Sequence, residues 1–264
     1  MAFKTEFAVD MTCQGCVTTV ENVLKSTDGV ERFTIDLPKK TVVVEGPAPP
    51  SKVTTLLRKT GKTVIVRGQS STETANPEAA VCILHDTEFL RDHQSVDPGK
   101  RHGLVRMVQI NPTQCAIDIT VSGLTPGKHG VHIHKLGDIS RGAESTGEHY
   151  NPTNVAHGDH QRGHVGDLGN IVVDATGWGD LLVESDRIRI SDLIGRSMVV
   201  TQLEDDLGRN EQSTESTING NSGPGVLCGI IARSAGAFQN KKQICECSGK
   251  TLWEEARDLD AGHA

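Results

Sequence analysis

Residues 11–16 read Met-Thr-Cys-Gln-Gly-Cys, and the segments around them decide the fold of the first part of the chain. Residues 3–9 are predicted to form a short strand. The apolar residues after Cys16 recur at spacings of three and four, which indicates one face of a helix. A second helix opens at Pro50 and is capped near Gly61. Further strands are predicted at residues 30–36, 41–45 and 63–67. The order βαββαβ predicts a ferredoxin-like domain.

The pattern changes after residues 68–80, a polar stretch that is poor in bulky apolar side chains and is typical of a linker. Up to about residue 232, short apolar runs alternate with turn residues, which predicts an eight-stranded Greek-key β-barrel or sandwich. The predicted fold class is therefore multidomain, α+β followed by all-β. Its predicted parts are a ferredoxin-like domain at 1–70, a linker at 71–80, the barrel at 81–234 and a mostly irregular tail at 235–264.

The composition argues against some classes of function. The 264 residues include 27 Lys and Arg against 34 Asp and Glu, so the net charge of −7 gives no case for a nucleic-acid partner. Charged residues at 4, 6 and 10 stand where a signal peptide needs an apolar run, and no apolar stretch approaches the ~20 residues that span a bilayer. The seven cysteines leave at least one thiol without an intrachain disulfide partner. We expect a reducing, cytoplasmic environment.

Two thiols three positions apart, Cys13 and Cys16, lie between the first predicted strand and helix. The free amides and dipole of a helix N-terminus lower the pKa of a thiol, and two close thiolates can bind Cu(I) in near-linear geometry. Lys62 is predicted to lie nearby and to offset the negative charge of the complex. A structural zinc half-site, a buried cysteine pair and a thioredoxin-like dithiol are the alternatives. The Met-Thr-Cys-Gln-Gly-Cys motif and Lys-Thr-Gly-Lys at 59–62 resemble the heavy-metal-associated domain of copper chaperones, which favours copper.

Seven of the eleven histidines lie within residues 129–167. His132 and His134 are two apart on a predicted strand, so their side chains face the same side. Further candidate ligands follow at spacings of eight, seven and three residues, namely His149, His157, His164 and Asp167. Three imidazoles and a carboxylate suit tetrahedral Zn(II), whereas a solvated histidine-rich loop is the alternative.

The runs Gly-Val-His-Ile-His at 130–134, His-Val-Gly-Asp-Leu-Gly-Asn at 164–170 and Leu-Cys-Gly at 227–229 resemble copper–zinc superoxide dismutases. This resemblance extends over nearly all of residues 80–232. It implies a copper site at His132 and His134, a bridging ligand at His149, zinc ligands at His157, His164 and Asp167, and a carboxylate that links the two sites at Asp205.

Three positions depart from the dismutase pattern. The resemblance implies a fourth copper histidine where this chain has Thr201, and an active-site arginine where it has Gly225. It also implies a disulfide between Cys228 and a loop position that is Ala143 here. A hydroxyl is a poor replacement for imidazole at copper, so any copper site at His132 and His134 would be vestigial. We therefore expect no dismutase activity, a zinc-organised loop and a barrel that serves as a recognition surface.

The tail contains Cys245 and Cys247, a pair that can bind a soft ion or exchange disulfides. An incidental polar tail is the alternative. With the preceding residues 230–245, the tail resembles the third domain of copper chaperones for superoxide dismutase, and all three segments then match one family in order. Cys82 and Cys115 lie in strand-like runs and are predicted to be small buried hydrophobic residues.

That resemblance implies a chaperone that delivers Cu(I) to copper–zinc superoxide dismutase and promotes formation of its disulfide. Docking is expected to imitate half of the dismutase dimer through Gly137 and Ile194-Gly195, with a homodimer as a second use of that surface. A membrane copper transporter is a predicted copper source, and thiol–disulfide exchange of a sulfhydryl-oxidase kind is a predicted activity. The alternatives are an active fused dismutase and a thiol scaffold in which the CxxC and CxC pairs share one zinc ion.

Overall fold

The computed structural model describes residues 2–71, 78–91, 101–210 and 212–239. The chain divides into two units, the first made of residues 1–79, 108–111 and 234–264, and the second of residues 80–107 and 112–233. The predicted pair Cys245 and Cys247 lies outside the described residues. The sequence did not indicate that residues 108–111 and 234–239 would group with the N-terminal part.

The first unit has the predicted order βαββαβ. Its elements are β1 Phe3–Val9, α1 Gln14–Ser26, β2 Arg32–Asp36, β3 Thr41–Gly46, α2 Pro50–Arg58 and β4 Val64–Ser71. The sheet has the order β2-β3-β1-β4, and each described pairing is antiparallel. Helix α2 ends three residues before Gly61, whose φ of +73° takes the chain into the turn that precedes β4. Strand β4 continues to Ser71, so part of the stretch predicted to be a linker is strand.

The buried core of the first unit is formed by apolar residues that recur at the spacings of strands and helices. Val42 and Val44 alternate with half-buried neighbours on β3 and point to the same face of the sheet. Val20 and Leu24 are four apart on α1 and pack into the same buried cluster, which also contains Phe7 of β1. This cluster fixes the end of β1 and the start of α1, between which the two thiols of the CxxC motif lie.

A closed eight-stranded barrel, made mainly of residues of the second unit, has the order β10-β11-β7-β6-β5-β13-β12-β8. Its strands are β5 Ala79–Asp86, β6 His102–Asn111, β7 Gln114–Ser122, β8 Gly127–His134, β10 Asp167–Val173, β11 Gly179–Ser185, β12 Ser197–Thr201 and β13 Gly225–Ser234. The chain crosses from β7 to β8, which are not neighbours in the sheet, and β8 instead pairs with β10 and β12. A short strand, β9 Ser140–Ala143, lies outside the barrel sheet. Three short helices are α3 Thr87–Arg91, α4 Ile190–Leu193 and α5 Thr214–Asn219.

The barrel is filled by β-branched and leucine side chains, as the low aromatic content requires. Ile117 and Ile119 of β7 and Ile133 of β8 are fully buried in one cluster. Cys82 and Cys115 belong to the same cluster and are fully buried, which confirms their prediction as small hydrophobic residues. No helix in the described ranges is long and apolar enough to cross a membrane.

Candidate metal centres

The CxxC thiols lie at the surface, at the start of α1. Cys13 is the N-cap residue of the helix and is exposed, and its Sγ lies 3.5 Å from Sγ of the half-buried Cys16. Hydrogen bonds from the backbone of Thr12 and from the Cys13 thiol lower the pKa of Cys16 to about 6. Cys16 is therefore mostly a thiolate at neutral pH, and a second sulfur lies beside it. Two such donors with open access suit a soft monovalent cation.

The charge near the thiol loop includes a lysine that the sequence did not single out. Lys40 Nζ lies 2.6 Å from Oδ1 of Asp10, three residues before Cys13. The backbone N–H of Asp10 donates to the carbonyl of Thr63 at 3.0 Å, so the turn that carries Lys62 lies beside the same loop. The role of Lys62 in offsetting the charge of a copper complex stays a prediction.

The histidine cluster is built around one carboxylate. Asp167, the first residue of β10, is 1% exposed, and its oxygens lie 2.9 Å from Nδ1 of His149, 2.9 Å from Nδ1 of His157 and 3.3 Å from Nδ1 of His164. In a tetrahedron with metal–ligand bonds of about 2.0 Å, ligand atoms are about 3.3 Å apart. All four side chains are buried and their donor atoms converge, so this set fits Zn(II).

Asp167 also holds the loop that carries two of these histidines. Its Oδ2 accepts hydrogen bonds from the backbone N–H groups of Gly158, at 3.2 Å, and His164, at 2.8 Å. Burial would raise the pKa of Asp167, but the imidazoles of His149, His157 and His164 beside it outweigh burial and hold the pKa far below its usual range. Burial likewise opposes the charge of His157, yet the carboxylates of Asp167 and Asp205 raise its pKa to about 9. The loop between β9 and β10 is therefore held in place by the buried carboxylate of Asp167.

Asp205 connects the two groups of histidines. Its Oδ2 lies 2.9 Å from Nε2 of His132, and its Oδ1 lies 2.8 Å from Nε2 of His157. Its own backbone N–H donates to Asn170 Oδ1 at 2.8 Å, and Asn170 Nδ2 donates to the carbonyl of Asp205 at 2.9 Å. Asn170 was missed as a site residue, although it closes the His-Val-Gly-Asp-Leu-Gly-Asn motif. Asn170 therefore positions the Asp205 carboxylate, which in turn positions the rings of His132 and His157.

Three histidines form the second group. The rings of His132 and His149 stack with centroids 4.0 Å apart, and the donor atoms of these two and His134 converge. Burial lowers the pKa of His134 and of His149 to about 4, so both imidazoles are neutral at pH 7. Thr201 does not complete the group, because its hydroxyl lies 3.2 Å from the carbonyl of Gly130 and hydrogen-bonds to the backbone.

The three departures from the dismutase pattern meet at one cavity. A space of about 590 Å³ is bordered by His134, His149, Thr201, Ala143 and Gly225. A Cβ at position 225 would lie 2.4 Å from Cβ of Ala143 and 2.7 Å from Val199 Cγ1, so no larger side chain fits there without a shift. The positions at which the resemblance implies an imidazole, a guanidinium and a thiol are therefore neighbours in space.

Comparison with known proteins now connects these sites. A family model described as copper/zinc superoxide dismutase matches residues 101–231, and one described as heavy-metal-associated domain matches residues 6–63. The copper chaperone for superoxide dismutase of Sus scrofa is 43% identical over 263 residues, covering 99% of this chain and 92% of the relative. The chain belongs to the copper chaperone for superoxide dismutase family.

Other members of this family span the chain equally well. The human copper chaperone for superoxide dismutase is 43% identical over 95% of this chain and 88% of the relative. The superoxide dismutase 1 copper chaperone of Saccharomyces cerevisiae is 31% identical over 99% of this chain and 97% of the relative. The two family models indicate copper and zinc binding, and the chaperone relatives agree with the expectation that this chain is not an active dismutase.

A feature of this family member that the sequence did not reveal lies where the dismutase disulfide is expected. Helix α3 begins at Thr87, whose hydroxyl donates to the carbonyl of Gly225 at 3.0 Å. A Cβ on Gly142 would lie 2.9 Å from the carbonyl oxygen of Thr87, so α3 also contacts β9 closely. Arg91 at the other end of α3 pairs with Glu144 at 3.3 Å. The helix therefore joins the β9 loop to β13 without a covalent bond.

The cysteine expected in that disulfide is a free, inert thiol. Cys228 is fully buried, and burial followed by the charge of Asp86 raises its pKa to about 12. Burial raises the pKa of Cys82 to about 12 as well. All five cysteines in the described ranges are free, so the reactive thiols among them are Cys13 and Cys16.

Proposed function

We propose that this chain is a copper chaperone that binds Cu(I) at Cys13 and Cys16 and supplies it to copper–zinc superoxide dismutase. The observation that carries the proposal is the pair of surface thiols 3.5 Å apart, of which Cys16 has a pKa of about 6. The same chain contains a dismutase-type barrel in which Thr201 stands where the resemblance implies a copper ligand. A chain that uses copper itself would enclose it, whereas a surface site of two soft ligands permits exchange with another protein's thiolates.

The barrel is proposed to dock the client in the manner of a dismutase subunit. A Cβ on Gly137 would lie 2.1 Å from the carbonyl oxygen of Gly195 and 3.7 Å from Ile230, so these three residues share one patch. Ile230 and Leu136 are exposed apolar side chains, 42% and 48% accessible. A self-complementary patch of this kind can accept a heterologous partner of the same fold or a second copy of the chain. We favour the dismutase as partner, with the homodimer as a resting form.

Zinc is proposed at His149, His157, His164 and Asp167. Zinc bound there would hold together the loop between β9 and β10. The vestigial group of His132 and His134 is proposed to have no part in copper delivery, because Thr201 offers no imidazole. Asp205 and Asn170 then serve to position the rings.

Cys245 and Cys247 are proposed to pass copper to the client and to exchange disulfides with it. In the exchange step a disulfide of this pair takes two electrons and two protons from two client thiols, through a mixed disulfide, and the client disulfide is formed. Molecular oxygen is the proposed terminal oxidant. The proposed setting is the cytoplasm, with a membrane copper transporter as the source of the metal.

Reconstitution with a copper-free, reduced dismutase tests this function. The Cu(I)-loaded chain is mixed with the client and oxygen, and client activity and client disulfide are both measured. Cys13→Ser/Cys16→Ser is expected to fail when a copper chelator keeps free copper scarce, and Cys245→Ser/Cys247→Ser is expected to fail in disulfide formation. Normal activation by both double variants in the presence of the chelator would overturn the proposal.

Two controls separate the alternatives. Copper-loaded chain without client is expected to show little dismutation, and substantial activity would instead favour a fused dismutase. Metal analysis is expected to find one zinc per chain together with retained Cu(I). Two zinc ions per chain with no Cu(I) retention would favour a thiol scaffold.

A further inference from the structure

The loop of residues 137–146, here called the docking loop, begins inside the apolar patch proposed for docking. Its first residue is Gly137, which shares the patch with Ile230 and directly follows the exposed Leu136. The backbone N–H of Leu136 donates to the carbonyl of Thr146 at 2.9 Å, so the two ends of the loop meet beside the patch. The conformation of the docking loop therefore sets the shape of the surface that borders the patch.

The first part of the docking loop presents both apolar and polar groups to solvent. Ile139 is half-buried, whereas Asp138, Ser140 and Arg141 are exposed. Interfaces between proteins commonly combine an apolar centre with a polar rim. The loop therefore extends the apolar patch in the way that a single continuous docking surface requires.

Helix α3 holds the tip of the docking loop. A Cβ on Gly142 would lie 2.9 Å from the carbonyl oxygen of Thr87 and 3.0 Å from its Cβ, so the loop and the start of the helix are in close contact. At the end of the helix, Nη1 of Arg91 lies 3.3 Å from Oε1 of Glu144. Both ends of this five-residue helix therefore contact the loop.

Helix α3 is itself fixed to the barrel at its start. Asp86, the last residue of β5, is 1% exposed, and its Oδ1 accepts the backbone N–H of Glu88 at 2.9 Å. Arg101 donates to both carboxylate oxygens of Asp86, and its Nη2 also lies 2.9 Å from Oε2 of Glu88. The Thr87 hydroxyl donates to the carbonyl of Gly225 at 3.0 Å. Because two-pronged arginine–carboxylate contacts are strong and directional, α3 has a defined position from which to hold the loop.

We propose that α3 braces the docking loop in the conformation that contacts the partner, so that the loop and the apolar patch form one docking surface for a dismutase-type subunit. This inference rests on the docking proposed above. Thr87, Arg91 and Arg101 are positioning residues, because they act on the partner through the loop. The docking loop contains no cysteine, so the brace orders it without a disulfide.

Ordering the loop before docking makes binding more favourable. Association costs free energy for every loop and side chain that becomes ordered at the interface. A loop that α3 already holds has lost this freedom in the free chain, so the cost is not added when the partner binds. Loosening α3 is therefore expected to weaken docking, although no group that touches the partner is removed.

Two double variants loosen the brace in different ways. Thr87→Val/Arg91→Ala removes the hydroxyl that donates to β13 and the exposed ion pair with the loop. Asp86→Asn/Arg101→Met removes a buried ion pair as a whole, so no buried charge is left without its partner. Thr87→Ser/Arg91→Lys keeps the hydroxyl and the positive charge at the same positions and is the matched control.

Hydrogen exchange in the free chain measures the brace without the partner. The Gly142 amide donates to the carbonyl of Ile139 at 3.0 Å and reports on the tip of the docking loop. Loss of one hydrogen bond and one surface ion pair is expected to make its exchange about tenfold faster in Thr87→Val/Arg91→Ala. Asp86→Asn/Arg101→Met is expected to be accelerated at least as much, and the control to stay within about twofold of the wild-type chain. Unchanged exchange in both double variants would overturn the brace.

Isothermal titration of the zinc-loaded chain with a reduced, copper-free dismutase measures docking. Both double variants that loosen α3 are expected to bind at least about threefold more weakly than the wild-type chain, and the control is expected to bind equally well. Ile139→Asp puts a charge into the docking loop and is expected to weaken binding at least about tenfold. Ile218→Asp makes the same change at an isoleucine outside the loop that is 55% exposed, and it is expected to keep the wild-type affinity.

The outcomes distinguish this inference from the function on which it rests. A wild-type chain that does not bind the dismutase would overturn both the proposed docking and the inference. If the wild-type chain binds, full affinity in both double variants would overturn the role of α3. Full affinity in Ile139→Asp would show that the loop lies outside the docking surface. Either result would leave the proposed function standing.

Discussion

Replacing Asp167 by asparagine is expected to remove most of the stabilisation that zinc gives to the barrel unit. Asp167 contacts all three imidazoles of the proposed zinc site and holds two backbone N–H groups of its loop. Zinc at about 1,000 times its dissociation constant stabilises the folded state by about 4.1 kcal/mol. For a unit of this size about 1 kcal/mol shifts the melting temperature by 2–4 °C, so zinc is expected to raise it by roughly 8–16 °C.

The asparagine variant keeps the shape of the side chain but loses its charge and its strength as a ligand. A hundredfold loss of affinity corresponds to about 2.7 kcal/mol and leaves about 1.4 kcal/mol at the same zinc concentration. The zinc-induced shift of Asp167→Asn is then expected to be about 3–6 °C. The quantity compared between the two chains is the change in melting temperature on adding zinc. A change in the stability of the metal-free variant therefore does not affect the comparison.

Differential scanning calorimetry with and without a zinc chelator measures both shifts. Glu148→Gln makes the same carboxylate-to-amide change at an exposed position next to His149, and it is expected to keep the full shift. Equal shifts in the wild-type chain and Asp167→Asn would refute the zinc assignment. If the chelator leaves the melting temperature of the wild-type chain unchanged, the proposal that zinc stabilises the loop would be refuted.

Three further changes follow from individual contacts. Thr87→Val deletes the hydroxyl that donates to Gly225, and calorimetry is expected to show a loss of about 1 kcal/mol in the barrel unit. Alkylation of Cys16 in the metal-free chain is expected to rise through pH 6 and level off above pH 7, because its thiolate is the reactive form, whereas Cys228 is expected to react only after unfolding. Ile133→Ala, in the fully buried cluster, is expected to cost about 2–5 kcal/mol by denaturant titration.

Matched controls exist for these changes. Thr153→Val removes a hydroxyl at an exposed position, and Ile83→Ala truncates an isoleucine that is 57% exposed. Each is expected to change stability by less than about 0.5 kcal/mol. A Thr87→Val variant as stable as Thr153→Val would show that the Thr87 hydroxyl does not stabilise the contact of α3 with β13. Peptide mapping that finds Cys228 labelled as fast as Cys16 in the native chain would contradict its burial.

Local sequence pattern was sufficient for the element order of the first unit and for the number of strands in the barrel. The reason is that a helix face or a strand face repeats within a few residues, as Val20 with Leu24 and Ile117 with Ile119. The short helix α3 was not predicted, because five residues are too few to show a helical period. The extension of β4 to Ser71 was also missed, since polar residues there resemble a linker.

The sequence by itself determined which side chains are available for metal: the CxxC pair at a helix start, and three histidines and Asp167 at ligand-like spacings. These patterns are local, so they can be read without knowledge of the fold. The tertiary structure alone decided which distant residues support them. Thr87 meets Gly225 across 138 positions, and Glu6 meets Phe238 across 232. Such contacts follow from the way the strands close into sheets, and no local period in the sequence encodes that closure.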